Sequence, residues 1–359
     1  MRAETKRTTQ GAVLGIAPGE RALLQRIRGR GRRKSFAGLV LGIGDDCALL
    51  APRPGEEIAV TTDLSIAGRH FRLDWHPPEV VGYRTLARGL SDLAAMGARP
   101  LAAFLSLGLP PELIKAEGRK PSWLDRFFEG FLELAHAHKT PLAGGDLGQS
   151  PLAVADIVLV GAVPYGRALL RSGARPGDLI YVTGTLGGAA AGLQLLSALA
   201  ASAKSRSGRG RSVPPSIPKK MAPKKMADAL AAHFYPQPRL AQGTWLQSKG
   251  LAHAAIDLSD GLSTDLAHLC EESGVAAEID AGSLPIAPGA TLEQALHGGE
   301  DYELLFTAPA EARMPGKIAG VAVTAIGRMT RKRRGEAMAT IRTAQGVESL
   351  ARRGWEHFV

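Results

Sequence analysis

A chain of 359 residues, 45% hydrophobic and 22% charged, is long enough for about two domains and too apolar for a disordered protein. Its apolar runs, such as Leu101–Leu109 and Leu152–Val163, are short and broken by Ser or Asp, which argues against a membrane span; the polar, basic start argues against a secretory leader. Two cysteines, Cys47 and Cys270, make no disulfide framework and no zinc spacing, and fit a reducing, cytoplasmic setting. The net charge of +10 is local: residues 1–34 hold ten Lys/Arg against two acids, residues 204–225 hold eight against none, and the remainder is net acidic.

In chain order, the basic start (1–18) reads as a tail. Leu39–Ile43 and Glu57–Thr62 read as short strands that end near Asp45-Asp46 and Asp63. Pro77-Pro78 open a helix whose apolar residues recur at helical spacing through Val80, Leu86, Leu90 and Leu93 to Gly97, with Asp92 late in it. Leu101–Leu109 reads as a buried strand, Trp123–His138 as an amphipathic helix, and Leu152–Val163 as a further strand. A second domain is expected over 164–359: a turn at Arg175–Asp178, the strand Leu179–Thr183, a helix over Ala189–Ala203, a helix Leu262–Ser273 closed by Gly274, and strands at Tyr302–Thr307 and Val321–Ile326. Residues 202–225, rich in Ser, Gly, Pro, Arg and Lys, lack the apolar content to offset ordering entropy and read as a disordered insertion. Helices and strands are mixed without a strict βαβ rhythm, so the predicted class is α+β in two domains, 19–163 and 164–359.

Five acidic stretches follow apolar runs: Gly-Ile-Gly-Asp-Asp (42–46), Thr-Thr-Asp (61–63), Ser-Asp-Leu-Ala-Ala-Met-Gly (91–97), Gly-Gly-Asp (144–146) and Asp-Leu-Ser-Asp-Gly-Leu (257–262). Each alone is ordinarily a turn. Together they point to a shared site, where converging carboxylates need a hard cation such as Mg²⁺ and a phosphate. No Walker loop is present, since Arg28 and Arg33 stand where it needs Gly. Arg171 can clamp a phosphate or make a surface ion pair. His70 reads as structural or ligand-facing, and Gly298–Glu303 (GGEDYE) as a solvated turn or a ligand loop. Trp355 reads as a packed anchor or a π face for a flat cation.

Gly42–Leu50 (GIGDDCALL), Thr61–Phe71 (TTDLSIAGRHF), Ser91–Gly97, Gly144–Asp146, Arg167–Gly177 (RALLRSGARPG), Ala255–Leu262 (AIDLSDGL) and GGEDYE occur in the order and approximate spacing of thiamine-monophosphate kinases. The chain resembles that family, within the aminoimidazole ribonucleotide synthetase-like superfamily. The resemblance implies Mg²⁺ ligands at Asp46, Thr61, Thr62, Asp63, Asp92, Asp146, Asp257 and Asp260, and ATP contacts at Gly145, Asp146, Arg171 and Ser259. It further implies thiamine contacts at His70, Glu300 and Trp355, and a homodimer whose N-terminal strands form a central barrel. The family's usual Thr-Thr after Gly-Gly-Asp is Leu147-Gly148 here. The expected reaction is ATP-dependent phosphorylation of thiamine monophosphate by in-line transfer, with no general base required. The alternatives are another enzyme of the superfamily, such as an aminoimidazole ribonucleotide synthetase, or a non-catalytic nucleic-acid binder on this fold. The last is weakened by 5% aromatics and by basic runs that carry no interleaved aromatics.

Overall fold

The computed structural model describes residues 25–27, 29, 36–116, 118, 120–206 and 230–356. The expected tail 1–18 and most of the expected insertion, 207–225, lie outside the described residues. After the short pair β1 (Leu39–Leu41) and β2 (Leu49–Leu50) comes a four-stranded sheet made of β3 (Glu56–Ile66), β4 (Arg99–Leu109), β5 (Leu142–Gln149) and β6 (Val154–Pro164), ordered β3-β6-β4-β5. β6 runs antiparallel to both β3 and β4, and β4 runs parallel to β5. Gly144, Gly145 and Asp146 lie within β5 rather than in a turn. Gly145 has φ +145°, and a Cβ there would sit 1.9 Å from the Leu105 carbonyl oxygen, so only glycine lets β5 run this close to β4.

Two helices cover one face of this sheet, α1 (Pro78–Ala95) and, after the single turn α2 (Pro111–Ile114), α3 (Trp123–Ala137). α1 begins on proline, whose fixed φ suits a first turn. α3 begins at a capping box in which Ser122 and Asp125 satisfy each other's backbone N–H groups.

The second sheet contains β7 (Leu179–Thr183), β8 (Ala254–Asp257), β9 (Ala276–Asp280), β10 (Leu304–Ala308), β12 (Val321–Thr330), β13 (Ala339–Thr343) and β14 (Gly346–Ser349), in the order β14-β13-β9-β12-β7-β10-β8, with β11 (Lys317–Ile318) paired to β12. Its helices are α4 (Gly188–Arg206), α5 (Leu240–Lys249), α6 (Leu262–Ser273) and α7 (Leu292–His297). α4 continues past Ser202, where the insertion was expected to begin, because Ala203, Lys204 and Arg206 are good helix formers.

α1 is shared between the two sheets. Leu86, Leu90 and Leu93 belong to one core with Leu105 and Leu159 of the first sheet and Tyr181, Leu304 and Phe306 of the second. The opposite face of the second sheet packs Ile180, Ile256 and Leu305 against Leu262, Leu266 and Leu269 of α6. Among the described residues no helix is long and apolar enough to cross a membrane.

Candidate active site between the two sheets

A cavity of about 580 Å³ opens where the end of β3, one side of α1, the β8–α6 loop, the Gly298–Tyr302 loop and the C-terminal segment meet. The β8–α6 loop is held by Asp265, which is 2% exposed and whose Oδ2 accepts the backbone N–H groups of Asp260 (3.1 Å) and Gly261 (3.0 Å). The Gly298–Tyr302 loop lies directly on it: a Cβ on Gly299 would come within 2.5 Å of the Ser259 carbonyl oxygen. Glu300 and Tyr302 adopt φ values of +68° and +51°. Side-chain-bearing residues rarely tolerate that region unless the surroundings enforce it. Here Glu300 N–H donates to Ser259 O (2.8 Å) and Tyr302 N–H to Leu258 O (2.9 Å).

Acidic groups gather at one end. Asp257 is 3% exposed at the end of β8, and its Oδ2 accepts from Ser91 Oγ at 2.7 Å. Asp92, late in α1, stands beside it, with the Thr61 hydroxyl donating to its Oδ2. Burial, then the Asp257 charge, push the Asp92 carboxyl up to about 7. Burial also raises Asp257. Burial raises Asp63 too, against the opposing pull of Arg88, which holds it through an ion pair of 2.6 Å.

The other end is already compensated. Burial alone would raise Glu300, but the charge and hydrogen bond of the Arg84 guanidinium hold it down at about 2. Arg84 is 4% exposed and donates to both Glu300 and the His233 carbonyl oxygen. Asp301 turns away from the cavity and accepts the N–H groups of Gly187 (2.6 Å) and Ala189 (3.1 Å) at the start of α4. Glu303 is 4% exposed and takes Thr183 Oγ1 at 2.7 Å and the Arg239 guanidinium. GGEDYE is therefore no solvated turn: one acid faces the cavity and two brace the fold.

Of the residues singled out from the sequence, Asp63, Asp92, Asp257, Ser259, Asp260, His70, Glu300 and Trp355 line this cavity. Thr61 joins it through Asp92, and the positive charge of Arg171 is felt by both Asp92 and Asp257. Thr62 is exposed on the opposite face of β3, as strand alternation requires. Asp46 is exposed in the bend between β1 and β2; Gly145 and Asp146 are exposed on β5; none of the three lines the cavity. His70 accepts the Ile66 N–H at Nδ1 (3.1 Å). Trp355 is 45% exposed at the mouth, its backbone N–H donating to Asp260 O at 3.0 Å and the Arg69 guanidinium 5.6 Å from its ring centre.

Sequence reasoning missed Arg84, Arg88, Ser91, Asp265, His76 and His233. Arg84 and Arg88 share a helical face with Asp92, at offsets of eight and four residues, and that periodicity was available as a signal; Ser91, its neighbour in sequence, points elsewhere, to Asp257. Nothing in the sequence marks His233.

Among the described residues no three acid, His or Cys side chains converge tightly enough to hold a metal ion by themselves. The donor set still suits Mg²⁺, which binds through one or two carboxylates and completes its shell with phosphate oxygens and water. The raised Asp92 and Asp257 carboxyls mark negative charge that a cation would relieve.

Residues 44–168 match the family described as AIR synthase related protein, N-terminal domain, and residues 175–339 match its C-terminal domain. The thiamine-monophosphate kinase of Escherichia coli K12 is 40% identical over 356 residues, covering 96% of this chain and 99% of that protein. The crystal structure of thiamine-monophosphate kinase from Stenotrophomonas maltophilia K279a superposes with a TM-score of 0.74 at 36% identity, over 90% of this chain and 96% of that one. A structure described as AaThiL complexed with AMPPCP and TMP gives a TM-score of 0.68 at 28% identity, over 95% and 97% of the two chains. The chain belongs to the thiamine-monophosphate kinase family, within the AIR synthase related proteins.

Proposed function

We propose that this chain transfers the γ-phosphoryl group of ATP to the phosphate of thiamine monophosphate. The observation that carries the reading is the meeting of Asp63, Asp92 and Asp257 with Ser259, Asp260, Glu300 and Trp355 around one cavity, in a chain 40% identical to curated kinases of that name. The acceptor is already anionic near neutral pH, so no strong base is required. The obstacle is repulsion between two polyanions, about 4 kcal/mol per pair of unit charges at 4 Å and an effective dielectric of 20. When bound, Mg²⁺ would supply positive charge that offsets this repulsion. Asp63, Asp92, Asp257 and Asp260 are the residues of the cavity that would hold it, with Thr61 and Ser91 orienting two of them. Arg171 adds positive charge near the same acids. Asp46, Thr62, Gly145 and Asp146 remain assigned to metal and nucleotide by the family resemblance alone. Trp355 offers a π face to the flat, cationic thiazolium, and Glu300 is a further acidic contact to the thiamine part.

The partner we assign is a second copy. Ile58, Val60 and Leu64 are 45%, 60% and 46% exposed on the face of β3 turned away from α1, an apolar patch that pairing of two such sheets would cover. Val60→Lys should convert a dimer to a monomer by light scattering; a monomeric native protein would remove this assignment. ATP as co-substrate and two unpaired thiols fit the cytoplasm. The decisive assay for the function supplies ATP, Mg²⁺ and a panel of monophosphate acceptors: turnover confined to thiamine monophosphate is expected, and equal turnover of aminoimidazole ribonucleotide precursors would replace the reading.

A further inference from the structure

Two histidines occupy the compensated end of the cavity, and phosphoryl transfer gives them no role. His76 and His233 are 2% and 1% exposed, and their Nε2 atoms lie 3.1 Å apart. At that distance one nitrogen donates and the other accepts. His76 Nδ1 lies 3.1 Å from the Arg72 N–H, a donor it can meet only with its lone pair, and 3.2 Å from the Arg72 carbonyl oxygen. At the far end His233 Nδ1 faces Glu300 Oε2 at 3.8 Å. A lone pair there would be repelled by the carboxylate, so this nitrogen carries the proton. His76 Nδ1 can meet either Arg72 group, so the Glu300 end decides the arrangement: His76 Nε2–H donates to His233 Nε2, and His233 Nδ1–H points toward Glu300 Oε2 at the lining of the cavity.

That N–H is unspent. It lies beyond hydrogen-bond distance of Glu300 and has no other partner among the described residues, although it is buried. A buried donor without an acceptor is costly, which is the mark of a place kept for a ligand. Glu300 complements it: Arg84 engages Oε1, and Oε2 faces His233. Burial and then the Arg84 charge hold His76 down at about 4 and His233 well below its usual range, so the donor is neutral. Phe71 and Trp75 add aromatic walls to the same cavity.

We propose that His233 Nδ1–H and Glu300 Oε2 together read the base of the acceptor, recognising a heteroaromatic edge that carries an acceptor ring nitrogen beside an amino group. The inference rests on the thiamine monophosphate reading, since the thiamine pyrimidine has such an edge. His76 is a positioning residue: it fixes the tautomer of His233 and touches no substrate.

The test compares kcat/KM for thiamine monophosphate and for its analogue in which the ring nitrogen next to the amino-bearing carbon is replaced by CH. The wild-type protein should prefer the natural acceptor by roughly ten- to a hundredfold, the worth of one buried hydrogen bond. His233→Ala should bring the preference below about threefold, His76→Phe should weaken it by releasing the tautomer, and His233→Gln, which keeps an N–H, should retain part of it. Equal use of both acceptors by the wild-type protein, or an undiminished preference in His233→Ala, overturns the proposal. If His233→Ala does not fold, the wild-type ratio and His76→Phe decide. Failure of the wild-type protein to use either acceptor, while turning over another monophosphate, removes the kinase reading itself and this inference with it.

Discussion

Asp92 and Glu300 line the same cavity, yet burial and the Asp257 charge push one carboxyl up to about 7, while Arg84 holds the other, despite its burial, at about 2. The contrast separates two kinds of buried acid. Glu300 was given its counter-charge when the chain folded. Asp92 was given another acid, and its compensation must arrive with the ligand. A fold stores affinity for cations in such uncompensated groups at the expense of its own stability, and perturbed carboxyls in a cleft mark functional sites for that reason.

Substitutions at the two ends should therefore behave oppositely. Asp92→Asn is expected to lower kcat/KM by roughly a hundred- to a thousandfold, the scale of losing one electrostatic contact to the reacting phosphates, while leaving the metal-free melting temperature unchanged or higher. Activity close to wild type at saturating Mg²⁺ would show that the acidic end is not the reacting end. Arg84→Leu should do the reverse to stability, costing about 3–5 kcal/mol in denaturant melts because it strands the Glu300 carboxylate.

The pH dependence sharpens the comparison. Asp92 has a folded pKa of about 7, above its unfolded value of 3.8, so its penalty is full above pH 7 and is relieved as pH falls toward 4. His76 has a folded pKa of about 4, below its unfolded 6.5, so its stabilising neutrality is complete above pH 6.5 and is lost as pH falls toward 4. The two oppose each other, by roughly 2–3 kcal/mol each across the window. In metal-free melts between pH 8 and pH 4.5, Asp92→Asn should lose stability more steeply on acidification than the wild type, and His76→Phe less steeply. Parallel curves for all three would mean that neither group titrates as assigned. The smallest effect is expected at the mouth: Trp355→Leu should raise the KM for the thiamine phosphate only about two- to fivefold, the worth of an exposed cation–π contact.

Local pattern made much of this legible in advance. The helical period from Val80 to Leu93 marked α1, the Gly274 stop marked the end of α6, and the apolar runs at 101–109 and 152–163 marked two strands of the first sheet. What stayed hidden depended on tertiary neighbours. β5 runs through Gly-Gly-Asp because Gly145 fits against Leu105, a contact between residues 40 apart in sequence that no local signal reports. The acids at 63, 92 and 257 were visible as candidates, and so was Thr61, but their pairings with Arg88, Thr61 and Ser91 were not, since each joins separate elements. GGEDYE looked like one acidic patch; the alternating direction of its side chains sends Glu300 to the cavity and Asp301 and Glu303 into the fold.

α1 carries Arg84, Arg88 and Asp92 at four-residue intervals, which reach the Glu300 end, the middle and the Asp257 end of the cavity in turn. At 1.5 Å of rise per residue the span from first to last is about 12 Å. Wedged between two sheets, that rod cannot stretch. On the proposed placement of the acceptor it would gauge molecular length, favouring acceptors whose ring and phosphate lie one fixed stride apart and leaving shorter or longer esters with one end unheld.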